Sequence, residues 1–209
     1  MSKLVENALE RVQKTEWFFD RGVLEIRDAV LIFTNFAGQA NRFGNTSKNF
    51  NVVLPNDLIN FLNECQLNDK SLHVNIHKYP QAAAGTDEDP CLYYINVKVN
   101  MESEYPPMVT LYVNQQTTNP HTGAIESKKS RVSLEDATIG CLDRVNMDRA
   151  DCKLNLKDSK ANPGNAVFYL RQLNVIQTKI PDFGGIYDDW DEPIEANPEI
   201  LAANEELIK

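Results

Sequence analysis

Between Val23 and Gln177 apolar residues recur mostly at every second position, the spacing of half-buried strands. Leu24 to Phe36 predicts one long strand with Leu24, Ile26, Val30 and Ile32 on its inner face. A loop from Asn35 to Ser47 leads into a short strand, Phe50-Asn51-Val52-Val53-Leu54. Pro55-Asn56-Asp57 then starts a helix that carries Leu58, Ile59, Phe61, Leu62 and Cys65. Leu72, Val74 and Ile76 alternate with polar neighbours, as do Tyr93, Ile95, Val97, Val99 and Met101. Pro106-Pro107 introduces a strand at 108–113, and 114–130 reads as a polar loop. A helical turn at 134–142 precedes two last strands, 147–156 and 166–177, divided by Asn162-Pro163-Gly164. Ahead of all this, Leu4, Val5, Ala8, Leu9 and Val12 keep helical spacing, and a helix is expected over 3–19, closed by Trp17-Phe18-Phe19. About seven strands, two short helices and no alternation of strand with helix argue for a mainly β barrel or sandwich.

Charge changes the picture at one end. From Pro181 to Lys209 the chain has nine acids and one base. Removing these from the 30 acids and 21 bases of the whole leaves 21 and 20, so the net charge of −9 belongs mostly to the last 29 residues. Periodicity is lost there too, which predicts a flexible acidic tail. The expected organisation is an N-terminal helical arm at 1–21, a β domain at 22–180 and the tail at 181–209. The arm has two readings, docking on the body or associating copies into a homo-oligomer.

Several function classes lack their signatures. No phosphate-binding G-x-x-x-x-G-K-[ST], nucleophile G-x-S-x-G or zinc H-E-x-x-H motif is present. His73 and His77 lie four apart, roughly 13 Å on a strand, which is too far to share an ion without other ligands. Cys65, Cys91, Cys141 and Cys152 form no C-x-x-C pair and are expected to be reduced and metal-free. No catalytic residue, cofactor or metal is therefore expected. No apolar run approaches the ~20 residues of a membrane span, and the first residues have no long apolar stretch of a secretory signal.

The basic residues carry more. Residues 144–180 hold seven bases and three acids. If Cys152, Leu154 and Leu156 point inward, Lys153, Asn155 and Lys157 point outward together. Tyr94, Asn96 and Lys98 share an outer face in the same way, and Tyr112 is in phase with Thr110. Rings beside cations on an exposed sheet suit single-stranded nucleic acid, because rings stack on unpaired bases and cations follow phosphates. The loop 35–50 adds Arg42, Phe43 and Lys48 beside Gly38 and Gly44, whose backbone lets a ligand approach closely. Phe36 and Phe50, at strand ends, are expected in the core.

With these segments in order, the chain resembles the single-stranded DNA-binding proteins of tailed bacteriophages, over roughly 22–177. The resemblance rests on Leu31-Ile32-Phe33-Thr34-Asn35-Phe36-Ala37-Gly38, on Asn49 to Leu54 leading into the helix, and on Tyr94-Ile95-Asn96-Val97-Lys98-Val99. It continues in Pro106-Pro107-Met108-Val109, Leu142-Asp143 and Ala166-Val167-Phe168-Tyr169-Leu170. It implies an OB-fold, action in the cytoplasm of an infected bacterium, and a tail that recruits replication or recombination proteins and competes with DNA. Tails of that family end on an aromatic or proline-phenylalanine element. Here the end is Glu205-Glu206-Leu207-Ile208-Lys209, and Phe183, Tyr187 and Trp190 lie within the tail as the candidate partner anchors.

The expected function is therefore a non-enzymatic single-stranded DNA-binding protein of phage replication or recombination, with little sequence preference and no membrane partner. Its rivals are a structural virion protein, in capsid decoration or tail, and an accessory subunit that binds protein only. Salt-sensitive binding to oligo-dT separates the first from both.

Overall fold

The computed structural model describes residues 3–40, 44, 46–68, 73–79, 91–118, 125–159, 162 and 164–179. In chain order the elements are α1 (Lys3–Val12), β1 (Glu16–Asp20), β2 (Val23–Arg27), β3 (Leu31–Asn35), β4 (Asn49–Val53), α2 (Asn56–Asn68) and β5 (His77–Tyr79). They continue with β6 (Leu92–Lys98), β7 (Met108–Thr118), β8 (Ile125–Leu134), a 3-10 helix (Ile139–Arg144), β9 (Arg149–Asp158) and β10 (Ala166–Lys179). The main path across the sheet is β1-β2-β9-β10-β6-β4-β3.

β2, second on that path, and β3, at its far end, are halves of one bent strand. β2 pairs with β9, β3 pairs with β4, and only residues 28–30 separate β2 from β3. The Ala29 N–H donates to the Ala150 carbonyl (2.7 Å), and the Val53 N–H donates to the Val30 carbonyl (2.9 Å), so the bend is bonded on both sides. The sheet thus closes into five staves: β2/β3, β4, β6, β10 and β9. β6 runs parallel to β10 and the other neighbours are antiparallel. This is the partly closed Greek-key barrel of an OB-fold, mainly β as the sequence predicts.

The bend corrects one expectation. Asp28 takes a left-handed φ of 52°, and the alternation changes face across it. Leu24 and Ile26 enter the barrel core, whereas Val30 and Ile32 join Val53 and Leu92 on the outside, beneath Val5, Ala8 and Val12 of α1. That covered face is why α1 is amphipathic: its apolar stripe replaces water over the first strands.

The helix also ends earlier than its pattern suggests. Residues 16–20 form a strand, joined to β2 by Arg21 and Gly22, both at positive φ (47° and 76°), the geometry of a two-residue hairpin turn. Trp17 and Phe19 meet Phe61 of α2 at ring centroid distances of 5.1 and 5.4 Å, while Phe18 stays exposed. Asp57 fixes the start of α2, accepting from the Leu58 N–H (3.0 Å) and from the Trp17 indole (2.8 Å). Three aromatics in a row serve a helix poorly; alternating, they fit a strand.

The predicted polar loop at 114–130 is largely a paired arm. β7 and β8 hold register from Val109↔Leu134 to Thr118↔Ile125, and β7 also runs parallel to the second half of β10. Near the other end of the barrel, Val74 makes an isolated bridge to Ala166. Among the described residues the strand predicted from Leu72, Val74 and Ile76 is replaced by β5 at His77–Tyr79, Leu72 lying outside them.

Phe36 and Phe50 are fully buried and stacked, 5.2 Å apart, as expected. Asp143 locks the turn after β3, its two carboxylate oxygens accepting from the N–H groups of Phe36 (2.9 Å) and Ala37 (2.8 Å). Gly38, at φ 67°, follows this turn. A Cβ there would lie 2.8 Å from the Thr46 carbonyl oxygen and 3.2 Å from Lys48 Cγ. Gly38→Ala is expected to lower stability by about 1–3 kcal/mol, from left-handed backbone strain plus the backbone clash. A melting curve unchanged from that of the parent would refute it.

Candidate nucleic-acid interface

β6 presents Tyr94, Asn96 and Lys98 outward because Ile95 and Val97 are fully buried in the barrel. Its neighbours extend the same face. Register places Lys98 beside Asn49 on one side and Tyr169 on the other, with Asn155 beyond Tyr169. Asn96 lies beside Asn51, its amide donating to Asn51 Oδ1 (3.0 Å) and more weakly to Asn49 Oδ1 (3.5 Å).

At one end of this strip Tyr169 sits between two cations. The Lys98 ammonium is 5.9 Å from its ring centroid and the Lys157 ammonium 5.6 Å. Such contacts are worth about 0.5–1 kcal/mol each at an exposed site, enough to orient the side chains. The result is a π-face with a positive charge beside it from each of two flanking strands. At the other end, roughly 13 Å away along β6, lies an aromatic ledge. His77 stacks on Tyr94 (5.3 Å, 23° between planes), and Phe33 meets Tyr79 at 5.0 Å and Tyr94 at 6.2 Å. Tyr79 and Tyr94 also pack against the cluster beneath α1, so the helix backs the ledge. Phe33 is 45 % exposed and takes a φ of 49°, a conformation rare for a bulky residue and commonest where a site requires it.

The structure sorts the residues expected from the sequence. Tyr94, Lys98, Lys153 and Lys157 all face outward on the β6–β10–β9 side. Lys153 is held by Glu25 (2.6 Å). Lys48 is turned away from solvent, its ammonium paired with the Asp136 carboxylate and donating to the Asp136 carbonyl (2.9 Å). It holds the loop to the segment before the 3-10 helix. Tyr112 lies apart on the β7–β8 arm. Arg42, Phe43, Phe183, Tyr187 and Trp190 lie outside the described residues. Tyr169, Phe33, Tyr79 and His77 belong to the strip and were not picked out by pattern. For Tyr169 the signal was available: in Ala166 to Leu170 the first, third and fifth positions are buried, leaving Val167 and Tyr169 to face out.

Other chemistry is sparse. Among the described residues no three His, Cys, Asp or Glu side chains form a metal-holding group, and no helix is long and apolar enough to cross a membrane. No disulfide joins any of the four cysteines. Burial, with a smaller contribution from Asp151, pushes the Cys152 thiol well above its ordinary range, which makes it a poor nucleophile.

A partly closed OB barrel with rings beside lysines on its outer face is the arrangement of a protein class that suits nucleic acid. The family model described as "Putative phage ssDNA-binding domain" matches residues 16–192, and the chain belongs to that family. The match begins at the first residue of β1. Among solved structures, the chain is similar to the single-stranded DNA-binding protein of bacteriophage Enc34 in complex with ssDNA. Identity is 10 %, with 78 % of this chain and 90 % of that one covered, at a TM-score of 0.43. A C-terminally truncated form of the Enc34 protein gives 9 % identity, 81 % and 98 % coverage, and a TM-score of 0.41. For gp2.5, a single-stranded DNA-binding protein encoded by bacteriophage T7, the values are 12 %, 88 %, 97 % and 0.32. No curated protein matches the sequence.

Proposed function

We propose that this chain binds single-stranded DNA without catalysis, in phage DNA replication or recombination within the infected bacterium. The observation that carries the reading is the outward strip of Tyr94, Asn96, Lys98, Tyr169 and Lys157, in a chain of the phage ssDNA-binding domain family. Bases of an unpaired strand stack on the ledge and on Tyr169, and the two lysines take phosphates. The amides of Asn49, Asn51 and Asn96 line the path between. Rings and cations of this kind read no particular base, so sequence preference is low. The acidic segment 181–209 serves as a competitor for the basic face and as the docking element for replication or recombination proteins, with Phe183, Tyr187 and Trp190 as anchors.

Fluorescence titrations with oligo-dT and with a duplex of equal length test the first part. The single strand is expected to bind more tightly at moderate salt, with an affinity that falls steeply as salt rises. Equal affinity for the two, or binding indifferent to salt, would overturn the reading.

A further inference from the structure

The outward face of β10 continues past Tyr169. A register shift near Arg171 resets the alternation, after which Leu173 and Val175 are buried and Gln172, Asn174 and Ile176 face out. On this stretch β7 takes the place of β6 beside β10, and β8 flanks β7. Arg149, Ile176, Tyr112 and Arg131 are successive register partners on β9, β10, β7 and β8, and so form one lateral row. Val109, Leu111 and Val113 are buried, which puts Tyr112 on the same outward side as Tyr169. The Arg131 guanidinium lies over the Tyr112 ring, 6.0 Å from its centroid. Lys129, also exposed, stands two residues along β8, beside Asn114.

This row repeats the chemistry of the first strip, a ring with a cation over it, seven residues further along β10 and roughly 20 Å away. The core holds the inner part of the arm, through Val109, Leu111, Val113 and Leu134, and does not explain its outer part. From Asn114↔Lys129 to Thr117↔Glu126 the paired residues of β7 and β8 are polar, and residues 108–134 hold three bases against one acid. Asp151 pairs with Arg149 at 3.0 Å, so among the described residues the charge of the row that has no ion pair comes from Lys129 and Arg131 on β8.

We propose that Tyr112, Arg131 and Lys129 form a second contact for the same single strand, engaging nucleotides that have passed Tyr169. The proposal rests on the single-strand reading of the first strip and adds length to it: the footprint runs along β10 onto the hairpin arm. A short oligonucleotide occupies the first strip alone, and a long one uses both.

The test uses the full chain with oligo-dT of about six and about twenty nucleotides, lengths on either side of a typical OB-fold site. The variants are Tyr112→Leu and the pair Lys129→Gln with Arg131→Gln, with Tyr169→Leu alongside. The hairpin variants are expected to bind the short oligonucleotide within about twofold of the parent and the long one about tenfold more weakly. With the double lysine–arginine variant, the salt slope on the long oligonucleotide should fall by about 1.4, for two lost phosphate contacts. If both hairpin variants bind both lengths as the parent does while Tyr169→Leu weakens both, the second contact is refuted and the first strip stands. Equal losses on both lengths also refute it, since the arm then supports the barrel and not the strand. If the parent binds neither length, the single-strand reading itself has failed.

Discussion

Tyr169→Leu is expected to weaken single-strand binding by about ten- to a hundredfold, the equivalent of losing one stacked base at roughly 1–3 kcal/mol. The salt dependence should be unchanged, because no charge is lost. Lys98→Gln and Lys157→Gln should behave oppositely, each lowering the salt slope by about 0.7 with a smaller loss at high salt. The geometry makes a stricter demand as well. Both ammonium groups lie over the same ring, so the Tyr169 and Lys98 substitutions should be non-additive in a double-mutant cycle. Leucine keeps the half-buried stem of Tyr169 packed, and the melting temperature measured alongside separates lost binding from lost fold. Unaltered affinity in a well-folded Tyr169→Leu protein would remove the centre of the strip.

Deleting residues 182–209 is expected to tighten single-strand binding several-fold in low salt, with little effect at high salt. The deleted segment carries all nine acids of the terminal block, and tethering raises its effective concentration at the basic face toward the millimolar range. The segment follows β10, whose last residue, Lys179, is in register with Gln115 of the hairpin arm. Its 28 residues can reach roughly 95 Å at full extension, enough to cover both the arm and Tyr169. The Debye length shrinks from about 30 Å at 0.01 M salt to about 8 Å at 0.15 M, which sets where the effect disappears. The deletion should also abolish docking of a replication partner. A truncated protein that melts lower and binds DNA no more tightly would mean instead that Phe183, Tyr187 and Trp190 pack on the barrel or on a second copy.

Much of the barrel was legible because a half-buried strand writes its inner face as an alternation. β6 and β9 show it plainly: Ile95 and Val97, then Cys152 and Leu154, point in, and Tyr94, Lys98, Lys153 and Lys157 point out. The alternation failed where its cause was absent. At Asp28 the backbone turns left-handed, and the residues beyond it reach water's side of the sheet only to be covered by α1. The β7–β8 arm is held by backbone pairing, with little apolar burial past Val113 among the described residues, so its sequence looks like a loop.

The site was legible one strand at a time and no further. Phase alone picked Tyr94, Lys98 and Lys157, but Tyr169 acquires its meaning from cations on two other strands. Lys48 shows the reverse. Its loop composition suits a phosphate, yet its partner is Asp136, 88 residues away, and nothing local announces that pairing. Lys153 and Glu25 meet across 128 residues for the same reason.

The central position of β10 also sets the order of events during synthesis. This strand borders β9 on one edge and β6 and β7 on the other, and it supplies Phe168, Leu170, Leu173 and Val175 to the core. A ribosome working at about 5–20 residues per second needs roughly 3–14 seconds to travel from the end of β6 to the start of β10. For that interval the edge of β6 that β10 will occupy stands open, joined near its end by that of β9, and an open edge is where neighbouring nascent chains pair with each other. The ring between Lys98 and Lys157 arrives on the same strand that closes the barrel. A growing chain therefore lacks both the closed barrel and this ring until β10 has been made, and the two arrive in a single late step.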